Sequence, residues 1–75
     1  MKATLETIQR NGTWVFEIPV SIVYSQAPKK GEMFNYILTS TKKPARTLPI
    51  TDITQFDNCK RIETSRAVYD FMEIK

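Results

Sequence analysis

Residues 11–19 read NGTWVFEIP. Asn11-Gly12 is a strong signal for a two-residue type I′ hairpin turn, because both central positions of that turn need positive φ. Beyond it, Trp14, Phe16, Ile18, Val20, Ile22 and Tyr24 all fall on even positions. A period of two is the alternation of a strand. Before it, KATLETIQR (2–10) alternates in part, with Ala3, Leu5 and Thr7 on one side and Thr4, Glu6 and Ile8 on the other. A two-residue turn pairs Arg10 with Thr13, Thr7 with Phe16, Leu5 with Ile18 and Ala3 with Val20. The apolar sides of both strands then share one half-buried face, with Trp14 in core or interface. Glu6 falls opposite Glu17 on the other face, a mild cost unless a cation lies between them. Pro19 cannot donate a ladder hydrogen bond, so it marks an edge, a bulge or an end. VSIVYS after it is continued strand or one short helix, and its β-branched content favours strand.

Turn composition at APKKGE (27–32) leads into MFNYILTS (33–40), a third strand rich in aromatic and branched residues. TKKPARTLP (41–49) reads as an exposed basic loop with two prolines. DITQ (52–55) has capping-box spacing, with Asp52 as N-cap and Gln55 reaching back. Ile53 and Phe56 lie three apart, so a turn or two of helix is expected there, ended by Asp57-Asn58. CKRIETSRAVYDFMEIK (59–75) is ambiguous, because Val68, Phe71 and Met72 would also line a helix face; RAVYDFMEI leans to strand. The expected fold is mainly β: one small domain over 1–75, an N-terminal β-hairpin plus further strands, and at most one or two short helical segments. It divides into a basic β-rich part, 1–50, and a mixed C-terminal part, 51–75, which is either added strands or a partner-binding tail.

At 75 residues there is room for one core, and a chain this short buries only about 60–65% of its unfolded surface. One cysteine, Cys59, excludes an internal disulfide and points to a reducing compartment. With no histidine, a zinc site of nitrogen and sulfur ligands is not expected, and a serine or cysteine nucleophile lacks its usual base. Two glycines cannot build a phosphate-cradling loop. The carboxylate pairs Glu6/Glu17 and Asp52/Asp57 read as solvated charge, and Cys59 beside Lys60-Arg61 as an ordinary thiol. No catalytic residue, metal or cofactor is expected. Met1-Lys2 runs into polar, alternating sequence with no apolar leader-like stretch, so a cytoplasmic protein without membrane contact is expected.

Net charge is +3, unevenly spread. Residues 1–50 carry seven cations against three anions, and residues 51–75 carry four against five. The excess at the front favours an anionic partner there.

Asn11-Gly12-Thr13-x-x-Phe16-x-Ile18-Pro19, followed by Gly31-Glu32 twelve and thirteen residues after the proline, resembles the signature of the AbrB/MazE-like swapped-hairpin family. The start MKATLETIQR is similar to that family's first strand, and the resemblance covers residues 1–40. It implies an intertwined homodimer that acts as a transcription regulator or antitoxin, with duplex DNA bound by the first hairpin and its loop. Carried over, the DNA-contacting positions are Lys2, Arg10, Asn11 and Thr13, and the loop cations Lys29 and Lys30 join them as nucleic-acid-binding candidates. Residues 41–75 would then serve a partner protein. The sequence departs from the family at Glu17, where many members are basic, and in the β-branched run after Pro19.

Two other readings stand beside this one. The first is a non-enzymatic β-domain that binds and modulates a partner protein, such as an accessory or inhibitor protein of a mobile element, using an exposed strand. The second is single-strand nucleic-acid binding, with Phe34 and Tyr36 alternating on one face as stacking platforms beside two lysine pairs. Aromatics at that spacing are more often core.

Overall fold

A computed structural model describes residues 1–74 of the chain. Seven strands run in sequence order: β1 (Lys2–Arg10), β2 (Thr13–Trp14), β3 (Val20–Val23), β4 (Met33–Leu38), β5 (Pro44–Phe56), β6 (Cys59–Thr64) and β7 (Ala67–Ile74). Every pairing is antiparallel. β1 meets β3 along its first half and β2 along its second, while its other edge takes the whole of β7. That last pairing joins the two ends of the sheet, and the fold is a small single-domain β-barrel. Closure removes most of the open edge that makes isolated sheets prone to aggregate.

The interior is built from alternate side chains, as the strand period requires. Ala3, Leu5, Ile22, Tyr24, Phe34, Ile50, Ile62 and Phe71 form one buried cluster, with Tyr36, Leu38, Ile53 and Tyr69 packed on its rim. Tyr24, Phe34 and Phe71 meet edge to face, with ring centroids 5.2–5.8 Å apart, the arrangement that ring quadrupoles favour. The buried Tyr24 hydroxyl donates to the Glu73 carboxylate at 3.1 Å.

Bulges change the facing along two strands, β1 and β5. Between Thr7 and Gln9 the register of β1 against β7 slips. Ile8 therefore turns inward and is buried, where strict alternation had put it on the other face. Slips also occur between Met33 and Asn35 and between Ile50 and Asp52. They bring Thr47, Ile50 and Ile53 to the interior side of β5 at intervals of three. At the first of these slips the Phe34 amide donates to Thr47 Oγ1 at 3.1 Å, and that hydroxyl donates to the Leu48 carbonyl at 2.8 Å. A side chain thus stands in for the ladder bond that the bulge interrupts.

Several expectations need correction. There is no helix among the described residues, so DITQ is not capped helix; it lies inside the thirteen-residue β5. The supposed loop 41–49 becomes strand from Pro44. Residues 51–74 are added strands rather than a free tail. VSIVYS yields the strand β3, and RAVYDFMEI yields β7. With no helix, nothing in the described chain is a helix long and apolar enough to cross a membrane.

Candidate interaction surface on the first hairpin

Asn11 and Gly12 have φ of 50° and 81°, the left-handed pair that a type I′ turn demands. Thr13 then pairs with Arg10, and Trp14 with Gln9, as the sequence implied. The expected register fails beyond this point. Leu5 pairs with Val20 rather than Ile18, and Ala3 with Ile22 rather than Val20. Two extra residues are taken up between Trp14 and Val20. The amides of Val15 and Glu17 donate to the carbonyls of Ile8 and Thr7, so two steps on one strand match one step on β1. Phe16 sits in that bulge at φ 46°, a conformation that costs a bulky L-residue about 1–2 kcal/mol.

The consequence is an arm. Every residue from Asn11 to Ser21 is exposed, and the half-buried apolar face expected here does not form. Ile18 is 87% exposed, Phe16 63% and Trp14 56%. The Trp14 and Phe16 rings stack on each other at 5.6 Å and 15° instead of entering the core. Together the three side chains show solvent roughly 400 Å² of apolar surface, within the size range of functional patches on monomers. The backbone is open as well. Among the described residues the amides of Phe16 and Ile18 have no backbone acceptor, and no backbone amide donates to the carbonyls of residues 15–19. The outer side of the arm therefore leaves backbone donors unpaired beside exposed apolar side chains.

Glu17 does not face Glu6. Its carboxylate accepts both Arg10 Nε and Nη2, at 3.2 and 2.9 Å. The paired guanidinium holds the Glu17 carboxyl below the usual carboxylate range, with the Thr7 hydroxyl adding to the effect. The same pairing raises Arg10, which also lies within electrostatic reach of Tyr69 and Tyr36. Burial pushes both of those phenols up. The base of the arm is thus a polar collar at the barrel mouth, made by Thr7, Arg10, Glu17, Tyr36 and Tyr69.

The candidate nucleic-acid residues are split between two places. Arg10, Asn11 and Thr13 gather at the hairpin tip, joined by Arg66, whose carbonyl accepts the Asn11 amide at 2.7 Å. Lys2 lies at the opposite end of β1, roughly 25 Å away along the strand. Lys29 and Lys30 are on the exposed loop between β3 and β4, which leaves from the Val23 that pairs with Lys2. Phe34 is in the core, which removes it as a base-stacking platform. Cys59 is an ordinary half-buried thiol whose pKa burial raises. Among the described residues no three His, Cys, Asp or Glu side chains are grouped to hold a metal. No family model, curated protein or solved structure matches the chain.

The exposed face of the arm and Arg66 were the features missed in the sequence. A usable signal for the first was present. Glu17 and Pro19 flank Ile18, one charged and one unable to donate, which is how natural sheets mark an edge.

Proposed function

We propose that this chain is a small non-enzymatic binding domain that engages a protein partner through the arm, residues 13–19. The observation that carries this is the coincidence of unpaired backbone donors with the exposed Trp14, Phe16 and Ile18. Large apolar side chains beside unpaired donors are what an added strand uses, the backbone for affinity and the side chains for specificity. The strain at Phe16 supports the same reading, because strained backbone concentrates at functional sites. The test is a photo-crosslinking residue at position 18 in cells, with the adduct identified by mass and Thr51, on exposed polar strand, as the control site. A defined adduct from 18 and none from 51 supports the reading. Equal or absent labelling at both positions removes it.

A second reading is duplex-DNA binding by a transcription regulator or antitoxin, as the swapped-hairpin resemblance implies. What favours it is the convergence of Arg10, Asn11, Thr13 and Arg66 at one tip. What weighs against it is the ion pair that already engages Arg10 and the distance to Lys2. A salt-titrated duplex-binding assay on wild type and the Arg10→Ala/Lys2→Ala double variant decides it. Binding that weakens steeply with salt and is lost in the double variant supports DNA; no binding at low salt removes it.

A further inference from the structure

We propose that the split in the barrel wall between β3 and β4 is a second docking site, and that it takes a short, extended, acidic segment of a partner protein. It lies at the Lys2 end of β1 and does not depend on what the arm binds.

The split is visible in the ladder. β3 and β4 share only two pairs, Ile22 with Leu38 and Val23 with Ile37. The Thr39 amide adds one bond to the Ser21 carbonyl at 3.0 Å. Backbone groups alternate in direction along a strand, so the odd residues of β4 face β3. Continuing the register sets Asn35 opposite Ser25, yet no backbone bond joins them among the described residues. Beyond Val23 the chain follows β1, its Tyr24 amide donating to the Met1 carbonyl at 2.9 Å, and leaves β4. The Asn35 amide and carbonyl thus stand unpaired on a strand, where an extended chain can bond to both.

Beside them is a groove of about 510 Å³, lined by Met1, Val23, Ile37, Pro44 and Ala45. Met1 and Ile37 are 64% and 45% exposed. This aliphatic lining suits one leucine- or isoleucine-sized side chain.

Charge selects the occupant. Cross-strand pairing puts Lys2 beside Val23 and Arg46 beside Asn35, and Lys43 precedes Pro44. The ion pairs among the described residues are Arg10–Glu17 and Arg61–Asp70, so none of these three exposed cations is engaged. Glu32, on the loop before β4, is the one carboxylate between Glu17 and Asp52. A segment with carboxylates on either side of one aliphatic residue is the complement of this surface. A lipid surface fits less well, because it would cover the Asn35 groups without offering backbone partners. A nucleic-acid strand needs free rings to stack on, and the tyrosines here, Tyr24 and Tyr36, are held in the core and on its rim.

The experiment selects binders to the full chain from an unbiased library of peptides about ten residues long and maps the strongest by NMR. The expected winners are acidic with an aliphatic residue between the carboxylates. They shift Val23, Asn35 and Ile37 and slow exchange of the Asn35 amide several-fold. The Lys2→Glu/Arg46→Glu variant is expected to bind them at least tenfold more weakly with unchanged far-UV circular dichroism, and Ile18→Ser to bind them as wild type does. An absence of winners, neutral or basic winners, or an Asn35 amide that exchanges as fast as in the free chain overturns the proposal. So does binding at these residues by phosphatidylserine vesicles or a thymidine oligonucleotide when no peptide binds there. Winners that map to residues 13–19 support the arm and remove this site. Winners that map here, when position 18 crosslinks to nothing, keep this site and remove the arm.

Discussion

Replacing Ile18 with serine should hardly change stability, and replacing Phe71 with alanine should remove much of it. Ile18 is 87% exposed, so folding hides only about an eighth of its surface, roughly 25 Å², worth about 0.6 kcal/mol at ~25 cal/mol per Å². Phe71 is 1% exposed and touches Tyr24 and Phe34 edge-on, with centroids 5.2 and 5.6 Å away. Its truncation costs about 3–5 kcal/mol, from lost transfer energy and the cavity left behind. A chain of 75 residues has roughly 4–11 kcal/mol of total stability, so Phe71→Ala takes a large fraction of it. Urea and thermal unfolding followed by far-UV circular dichroism measure both. The expected melting shifts are at most about 5 °C for Ile18→Ser and 12 °C or more for Phe71→Ala. A loss of 2 kcal/mol or more from Ile18→Ser would refute the reasoning, since it would mean that the arm's apolar face is buried in the working fold, as an exchange of hairpins between chains would bury it.

Three other outcomes follow from the geometry. Thr47→Val should cost about 1–3 kcal/mol in chemical denaturation despite its near-equal volume, because it leaves the buried Phe34 amide without an acceptor. Gly12→Ala should lose about 1–2 kcal/mol, since alanine at φ 81° is strained; a neutral result would show that the tip is not a type I′ turn. Glu17 has its folded pKa lowered by Arg10, so its pairing favours the folded arm above the ordinary carboxylate pKa and is lost as pH falls through the depressed value. NMR titration should find the Glu17 carboxyl titrating below the ordinary carboxylate range, and Trp14 emission should change over that acid range. In Arg10→Gln the Glu17 carboxyl should return to ordinary behaviour.

Local chemistry was readable wherever one turn or one strand decided the outcome. Asn11-Gly12 names its own turn, and the aromatic alternation of Phe34 and Tyr36 names β4. The long-range features were harder to see because bulges break the period. Thr47, Ile50 and Ile53 line the interior at intervals of three, a spacing that imitates a helix. The Asp52…Gln55 pair nearby completed that impression, although Thr51, Ile53 and Thr54 are all β-branched. Pro44 and Pro49 suggested a loop, yet they lie in the half of β5 that has β4 as its only neighbour, where a strand can spare donors. The exposure of Trp14, Phe16 and Ile18 was illegible for a related reason. Their alternation is that of a core strand, and only the two-residue slip past Phe16 lets the arm leave the barrel.

The pairing of β1 with β7 also governs how the molecule can form. Lys2 meets Ile74 and Arg10 meets Ala67, so the first strand made waits for the last. A chain emerging from a ribosome can fold its local hairpins early, but the barrel stays unsealed until residue 74 is free. Until then β1 offers an apolar edge to any other unfinished chain, which is the interval in which misassembly threatens. Contacts of such sequence separation also slow folding. In this protein the seam is a contact that can close only after β7 has been made.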